Sequence, residues 1–315
     1  MKWVYTSQRK EYANALTELG KTRTDVVVLD ADLSSSTRTV EFAKKFPERF
    51  FNCGIAEQNM MGTAAGLAAS GKVVFASTFA VFATGRCWDQ IRQSIAYPNL
   101  DVKIVATHAG ITVGGDGASH QALEDIGLMR SLPNMTVIVP ADGIEAYKAV
   151  KAAADLCGPC YVRLGRADVP MLTSMESDFI IGKATVLREG SDVTLVGCGQ
   201  MVAACMDAAE ELQKRGIEAE VVNMSTIKPL DEEALLRSAE KTGAVVTAEE
   251  HSITTGLGSA VASVLGENLP TPMKMIGTPD CFGESGESEE LMRRYGLTAE
   301  RIALAAEEVI RRKRQ

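Results

Sequence analysis

The chain has 315 residues, of which 46% are hydrophobic and 23% are charged, and its formal net charge is −8. These values indicate a globular protein with a sizeable core and argue against a general nucleic-acid binder. No apolar run reaches the roughly 18 residues of a membrane span, and no signal-peptide core follows the first methionine. The seven cysteines show no disulfide framework, so we expect a cytoplasmic protein that binds neither nucleic acid nor a membrane.

The first half of the chain alternates short apolar runs with helical patterns. We predict buried strands in the runs VVVLD, KVVFAS, DVKIVAT, MTVIVPAD and PCYVRLGR. Between them lie an Ala/Gly-rich helix that begins near residue 57 and a second helix over residues 84–96. Strands that are apolar throughout and alternate with helices indicate a parallel sheet that is covered on both faces.

The pattern breaks after Arg166 and resumes as a second unit. A stretch rich in Pro, Ser and acidic residues comes first, and a new alternation of strands and helices starts at DVTLVGCG. We therefore predict an α/β fold with two tandem doubly wound domains, at residues 1–170 and 188–315, joined by a linker at 171–187. In such sheets ligands bind beyond the carboxyl ends of the strands.

Candidate functional side chains cluster at these predicted strand ends. Asp32 follows the first strand and Glu57 opens the Ala/Gly-rich helix, while His108 and His120 flank a glycine-rich loop that contains Asp116. Loop residues at such strand ends are often functional, although the histidines of a glycine loop can also merely cap backbone groups. Neither histidine has a His or Cys partner at ligand spacing, which argues against a zinc site.

Glu57 stands at the start of a helix with few large side chains. Small residues of this kind let another backbone approach closely, and such a helix is often a subunit contact. One explanation of Glu57 is that a carboxylate favours a helix N-terminus by about 0.3–1 kcal/mol. The other is that the carboxyl exchanges a proton with a ligand, because burial and the helix dipole together can hold its pKa near neutrality.

Several motifs carry a specific resemblance to one family. Four segments of the first half resemble, in this order, the pyrimidine-binding domain of transketolases: GIAEQNMMGTAAGLA, STFAVFATGR, THAGITVGGDGASHQ and VRLGR. The transketolase C-terminal domain is resembled by TIKPLD, AEEHSITTGLGSAV and FGESGESEELMRRYGL. The large N-terminal domain of the family has no counterpart in the printed sequence. The resemblance therefore implies the C-terminal subunit of a split transketolase.

The missing domain is the one that holds magnesium and the diphosphate of thiamine diphosphate, through a GDG…N motif. Gly115-Asp116-Gly117 has the first part of that motif, but no Asn follows at the expected distance and no apolar strand leads directly into it. We therefore do not assign a metal site to this turn. The resemblance implies that the metal and diphosphate ligands lie on an N-terminal partner subunit, and we expect an α2β2 heterotetramer because family sites lie between subunits.

The resemblance also assigns residues to the cofactor. In this family a glutamate of the GIAEQ-type motif bonds N1′ of the aminopyrimidine and exchanges a proton with it, and Glu57 holds that position. Phe82 corresponds to the residue that stacks on the pyrimidine, with Phe79 near it. Asp32 lies near the cofactor by the same analogy, although it could simply cap the next helix.

The substrate residues follow in the same way. Asp116 and His120, which complete the predicted catalytic set with Glu57, match positions that contact sugar hydroxyls near the reacting carbons. The positions for the terminal phosphate of a sugar phosphate are matched by His108, Arg166, Arg9 and Ser36. Guanidinium groups bind tetrahedral oxyanions through paired hydrogen bonds, and a sulfonate is such an anion as much as a phosphate.

Two other functions stay open at this stage. The β subunit of a 2-oxoacid dehydrogenase E1 component has a similar length and the same two domains, although the His108/Asp116/His120/Arg166 set argues against it. A non-catalytic partner of a full-length enzyme is the other alternative, and a scaffold would need none of Glu57, Asp116 and His120. The leading prediction is a two-carbon ketol transfer from a ketose to an aldose.

Overall fold

The computed structural model describes residues 2–313, so the first residue of the predicted first domain and the last two of the second lie outside it. The strands, in chain order, are β1 (Tyr5–Thr6), β2 (Val26–Asp30), β3 (Phe50–Asn52), β4 (Val73–Phe79), β5 (Val102–Thr107), β6 (Thr136–Ile138), β7 (Cys160–Arg163), β8 (Val169–Pro170), β9 (Thr185–Arg188), β10 (Val193–Gly197), β11 (Ala219–Asn223), β12 (Thr226–Lys228), β13 (Val245–Ser252) and β14 (Met273–Thr278).

The α-helices, in chain order, are α1 (Gln8–Thr22), α2 (Ser34–Thr37), α3 (Val40–Lys45), α4 (Glu57–Ala69), α5 (Trp88–Gln90), α6 (Asp125–Arg130), α7 (Gly143–Asp155), α8 (Met201–Gln213), α9 (Glu232–Thr242), α10 (Leu257–Asn268), α11 (Ser288–Arg294) and α12 (Ala299–Lys313). Tight 3₁₀ turns form Pro47–Arg49 and Ile111–Asp116, and wide π turns form Phe82–Arg86 and Ile91–Ala96. The helix predicted over residues 84–96 is therefore helical but begins two residues earlier. Wide turns of this kind are frequent at functional sites.

The first sheet has the strand order β12-β6-β7-β5-β4-β2-β3, and its pairs from β6 to β3 are parallel. Its central strands are buried along their whole length, as continuous apolar runs require when both faces are covered. One face packs against α4, with Met60 and Ala64 in the core, and the other against α1, with Tyr12 and Leu16.

The second sheet has the strand order β14-β13-β10-β11-β9, and only the pair of β11 with β9 is antiparallel. Helices α8 and α12 pack on one face, where Leu212 and Ile302 are fully buried, and Val261 of α10 lies in the core on the other. Two tandem parallel-sheet units covered by helices confirm the predicted α/β fold class.

Two strands connect the units more closely than a simple linker. Strand β9 begins within the predicted linker at 171–187 and pairs with β11 in the second sheet. Strand β12 follows β11 along the chain, yet it pairs with β6 at the edge of the first sheet. The chain thus returns to the first unit after entering the second.

The carboxyl ends of the second sheet's strands face the first unit. The amide of Val139 donates to the carbonyl of Ser225 at 2.7 Å, and Asn223 Nδ2 donates to Glu145 Oε1 at 2.8 Å. A fully buried ion pair, Arg163 Nε to Asp125 Oδ2 at 2.7 Å, lies at the same seam. This seam fixes the second unit beside the strand ends of the first.

Candidate functional site

Glu57 is the first residue of α4 and is only 3% exposed. Arg86, from the wide turn after β4, reaches it with Nη1 at 3.1 Å from Glu57 Oε2. The same guanidinium lies over the ring of Phe82, 4.3 Å from the ring centroid. A planar, hydrogen-bond-donating group is therefore held between a buried carboxylate and an aromatic face.

An aromatic cluster continues from Phe82 into the histidine loop. Phe79 and His108 stack with ring centroids 3.7 Å apart, and Phe82 meets the edge of His120 at 5.3 Å. Phe79 and Phe82 lie nearly parallel at 5.9 Å. Because Phe79 ends β4 and His108 follows β5, the parallel pairing of these two strands brings the rings together.

His108 is buried and sits in a left-handed backbone conformation with φ of 57°. Its Nδ1 lies 2.9 Å from Thr107 Oγ1. Burial, and to a smaller extent the nearby charges of Arg9, Arg166 and His120, lower the pKa of His108 to about 3. The imidazole is therefore neutral at physiological pH and can meet a ligand as a hydrogen-bonding group rather than as a cation.

A second group of predicted residues gathers around Arg9. Its Nη1 donates to the carbonyl of Ser36 at 3.0 Å and its Nη2 to the carbonyl of Arg166 at 2.8 Å. Arg166 Nη1 lies 3.8 Å from Asp116 Oδ2 and donates to the carbonyl of Val113 at 2.5 Å. Burial and the charges of Arg38 and Arg166 lower the pKa of Arg9, and the charge of Asp168 only partly offsets them.

These side chains open onto a cavity of about 400 Å³ between the two units. Arg9, Asp116 and Arg166 line it from the first unit, and Gly286, Glu287 and Ser288 line it from the second. The volume falls within the range of about 300–1,000 Å³ that small-molecule sites occupy.

Asp30, the last residue of β2, and Asp32, two residues later, make different contacts. Asp30 accepts hydrogen bonds from the amide of Leu33 at 2.7 Å and from the hydroxyls of Thr37 and Thr39, so it fixes the start of α2. Asp32 is exposed, has φ of 63° and pairs with Asn52, whose Nδ2 donates to Asp32 Oδ1 at 3.3 Å. Asp30, and not Asp32, therefore holds the turn that leads into α2, where Leu33 is the residue before the helix.

Both units match family models. The model described as the pyrimidine-binding domain of transketolase matches residues 5–171, and the model of the transketolase C-terminal domain matches residues 182–302. The chain belongs to the transketolase family.

Transketolase relatives of the same length support this assignment. The chain is 52% identical to a putative transketolase C-terminal section of Methanocaldococcus jannaschii, with 95% of each chain covered. It is 47% identical to a 6-deoxy-6-sulfo-D-fructose transketolase subunit of Clostridium sp. strain MSTE9, over 97% of this chain and 95% of the relative. A solved structure described as a split-gene transketolase, an inactive β4 tetramer, has a TM-score of 0.92 and 55% identity over 98% of this chain and 99% of that one.

These matches confirm the resemblance to the C-terminal subunit of a split transketolase. Nine of the ten predicted site residues form two groups. The first contains Phe82 with Glu57, Phe79, His108 and His120, and the second contains Arg9 with Ser36, Asp116 and Arg166. The charges of Arg9 and Arg166 lower the pKa of His108, so the second group acts electrostatically on the first. Asp32 stays with Asn52, at the end of the neighbouring strand.

The structure adds contacts that the sequence prediction missed. Arg86 bonds Glu57, and Glu250 of the second unit accepts hydrogen bonds from Thr112 in the histidine loop. Arg86 ends the quoted STFAVFATGR motif, so a base close after an aromatic pair was the available signal. Nothing local to Glu250 indicates its partner.

Residues 2–313 contain neither a recognisable metal-binding cluster nor a membrane-spanning helix. No cluster of three or more His, Cys, Asp or Glu side chains that could hold a metal ion was found in this part of the chain. Among the helices of the same residues, none is long and apolar enough to cross a membrane.

Proposed function

We propose that the chain is the C-terminal subunit of a heteromeric transketolase that transfers a two-carbon ketol unit from a ketose to an aldose with thiamine diphosphate. The main observation behind this proposal is that the Arg86 guanidinium pairs with the Glu57 carboxylate and lies over the Phe82 ring. A flat, nitrogen-bearing group fits between a carboxylate and an aromatic face there. An aminopyrimidine needs the same two contacts, a carboxylate at a ring nitrogen and an aromatic ring against its face.

The chain's own residues then have distinct tasks. Glu57 holds a proton at N1′ of the pyrimidine, and Phe82 orients the ring by stacking, which contributes about 0.5–1.5 kcal/mol. The bound cofactor supplies the electron sink that lets a carbon–carbon bond of the ketose break. The burial of Glu57 and the contact of Phe82 with His120 support the proposal that the proton-transfer residue and the sugar-binding residue serve one site.

The cavity at Arg9 and Arg166 fits the anionic end of the substrate. Two guanidinium groups and the neutral His108 supply hydrogen-bond donors for a tetrahedral oxyanion. Asp116, which faces Arg166 at 3.8 Å and precedes His120 by four residues in the chain, can accept hydrogen bonds from sugar hydroxyls. Phosphate and sulfonate both suit this donor set, and the related subunit from Clostridium is named for a sulfo-sugar.

The need for a partner is supported by the surface around Glu57. Ile55 is 79% exposed and Phe51 is 43% exposed, immediately before the buried carboxylate. On α4, a side chain placed at Gly62 or Gly66 would meet nothing within 4 Å. We propose that an N-terminal subunit with the GDG…N motif covers this surface and supplies the magnesium and diphosphate ligands, in an α2β2 assembly. The related β4 tetramer, described as inactive, agrees with this need.

The first experiment identifies the partner. A tagged chain is recovered from its native host, and any protein that co-purifies in equal amount is sequenced. A partner with a GDG…N motif supports the proposal, and the reconstituted complex is then assayed with ketose donors and, separately, with 2-oxoacids. Decarboxylation of a 2-oxoacid without ketol transfer would replace the proposal by the E1-type alternative.

The decisive variant is Glu57→Ala in that complex. We expect turnover to fall by about 10⁴-fold, the upper end for a positioned acid–base group, with an unchanged circular dichroism spectrum. Glu57→Gln, which keeps the shape but cannot take the proton, should be equally inactive. Glu48→Ala, an exposed acid of the same unit, is the matched control. Near-normal activity of Glu57→Ala would contradict the proposal and favour a non-catalytic partner.

A further inference from the structure

The loop Ile111–Asp116 carries one predicted substrate residue, Asp116, and leads into another, His120. It is attached to the second unit by the carboxylate of Glu250, which is only 6% exposed. Glu250 Oε1 accepts a hydrogen bond from the amide of Thr112 at 2.7 Å and another from Thr112 Oγ1 at 2.8 Å. Both hydrogen-bond donors of Thr112, its amide and its hydroxyl, therefore bond the same carboxylate oxygen of Glu250.

Glu250 is itself fixed on its remaining sides. Gln200 Nε2 donates to its other carboxylate oxygen, and Arg163 Nη2 donates to its backbone carbonyl at 2.9 Å. Gly110, with φ of 81°, lies so close that a Cβ at this position would be 2.3 Å from Glu250 Oε1. The carboxylate thus fills the space directly beneath the loop, and its position determines where the loop backbone runs.

The second unit contacts the same loop at further points. Ser288 Oγ donates to the carbonyl of Thr112 at 2.9 Å, and Gln121 Nε2 donates to the carbonyl of Glu284 at 2.9 Å. A Cβ on Gly117 would lie 2.4 Å from Ser285 Oγ. Among these contacts Glu250 is the one that supplies a buried carboxyl: burial raises its pKa, while Arg163 and the hydrogen bonds from Thr112 and Gln200 favour the charged form. Hydrogen bonds to a charged acceptor are about twice as strong as neutral ones.

We propose that Glu250 is a positioning residue of the reaction: through Thr112 it holds the loop so that Asp116 and His120 meet the hydroxyls of the donor sugar. The same loop offers the carbonyl of Val113 to Arg166, so the anion-binding side chain is positioned with it. The inference rests on the proposed function, and it gives the second unit, which has no catalytic set of its own, a part in substrate binding.

The neighbouring residue Glu249 provides a matched control. It lies on the same strand, is equally buried and also accepts two backbone hydrogen bonds, from Leu257 at 2.7 Å and Gly258 at 2.8 Å. Those partners belong to its own unit. Removing Glu249 therefore tests the loss of a buried carboxylate of this strand, and removing Glu250 tests the loss of the contact with the loop.

The experiment compares Glu250→Ala, Glu250→Gln and Glu249→Ala in the complex with the partner subunit. We expect Glu250→Ala to lower kcat/KM for the ketose donor by about ten- to hundredfold, as a misplacement of about 1 Å does. The dissociation constant of thiamine diphosphate should stay within about twofold of wild type, because Glu57 and Phe82 lie on other elements. Backbone amide exchange over residues 110–121 should become faster.

The two other variants should behave differently. Glu250→Gln keeps an oxygen for the Thr112 amide, and the Gln200 amide can turn to face the new donor, so it should restore most of the donor kcat/KM. Glu249→Ala should lower stability without accelerating amide exchange in residues 110–121 or changing the donor kcat/KM of the folded complex. This pattern separates positioning from general loss of structure.

The inference is overturned if Glu250→Ala and Glu249→Ala change the donor kcat/KM equally, or if cofactor and donor binding weaken together. If Glu250→Ala does not fold, Thr112→Val tests the same contact, since it keeps the volume and removes the Oγ1 donor. A drop of about two- to tenfold in donor kcat/KM supports the inference, and no drop contradicts it. Failure of the proposed function is distinct, because the wild-type complex then transfers no ketol unit at all.

Discussion

The two parallel sheets have the same design, but the carboxyl ends of their strands meet different surroundings. In the first sheet the ends of β4, β5 and β7 lead to Phe79, His108 and Arg166, beside a cavity of about 400 Å³. In the second sheet the ends of β11 and β13 are buried against the first unit, where Asn223 bonds Glu145 and the amide of Ser252 bonds the carbonyl of Leu123. One set of strand ends opens toward a cavity, and the other contacts the neighbouring unit.

This difference shows how one architecture serves two purposes. Polar groups at a strand end must be satisfied, by a ligand, by water or by protein. Several polar groups at the second unit's strand ends bond groups of the first unit, which closes these ends, and Glu250 of the same unit bonds the loop that carries Asp116. Fold alone would not distinguish the two units, because function depends on what covers the strand ends.

The largest effect on this arrangement should come from the buried ion pair at the seam. Burial alone favours a neutral Asp125, but the charges of Arg163 and His251 hold the pKa of Asp125 below its ordinary value. In Asp125→Ala the buried guanidinium of Arg163 is left without its partner. We expect the free energy of unfolding, measured by urea denaturation, to fall by about 3–5 kcal/mol.

An exposed ion pair gives the comparison for this result. Asp155 lies 3.0 Å from Arg23 Nη1 with a side chain that is 80% exposed, so Asp155→Ala should leave stability nearly unchanged. If Asp125→Ala were as mild as Asp155→Ala, the buried pair of Asp125 with Arg163, which lies within the first unit beside the seam, would not contribute to stability.

The sequence predicted the parts of this comparison that depend on local pattern. Buried parallel strands are continuous apolar runs, so Val26–Asp30 and its neighbours could be found directly. The topology of a doubly wound sheet then placed Glu57, His108 and Arg166 at one edge. Asp30 and Asp32 show the limit of this approach, because either can cap α2 by spacing and only the backbone path selects Asp30.

The contacts between the units depend on distant pairs and left no local pattern. Thr112 and Glu250 are 138 residues apart, and Glu250 by itself reads as one more acid at a strand end. Strand β12 has only three residues, too few for a periodicity, and its pairing with β6 follows from the packing of the two units. Such features need the assembled chain.

A second prediction concerns the open site and its pH dependence. The pKa of His108 is lowered by burial from 6.5 to about 3. Between these values the unfolded chain binds a proton that the folded chain does not, so stability should fall as the pH falls from 6.5. One such proton contributes at most about 1.4 kcal/mol per pH unit, or about 2 kcal/mol between pH 6.5 and 5.

His108→Asn removes this proton and suits the positive φ of 57° better than most residues. Loss of the stack on Phe79 should shift its whole stability curve downward, whereas loss of the titration should make the slope against pH shallower. The buried His251, whose pKa is lowered to about 4 by burial, still titrates and leaves a residual slope. An unchanged slope in urea denaturation at several pH values would contradict the assignment to His108.

The smallest predicted effect concerns cofactor binding at Glu57. At the strand ends of the first unit, the Arg86 side chain already contacts this carboxylate. Arg86 bonds Glu57 at 3.1 Å and covers Phe82 at 4.3 Å, the two contacts proposed for the aminopyrimidine, so both groups cannot make them at once. A competing contact reduces apparent affinity by the fraction of molecules in which it is formed. We expect Arg86→Gln to bind thiamine diphosphate about fivefold more tightly, about 1 kcal/mol, because the guanidinium is half exposed and its ion pair and cation–π contact are therefore each worth about that or less.

Titration calorimetry of the assembled complex measures this change without relying on turnover. Arg92→Gln, an exposed arginine of the following wide turn, should bind the cofactor as wild type does and controls for the loss of a positive charge near the site. Weaker binding by Arg86→Gln would show instead that the guanidinium helps to hold the cofactor. In that case the pairing of Arg86 with Glu57 would be part of the binding site, and the first unit's strand ends would be as fully occupied by their own side chains as those of the second.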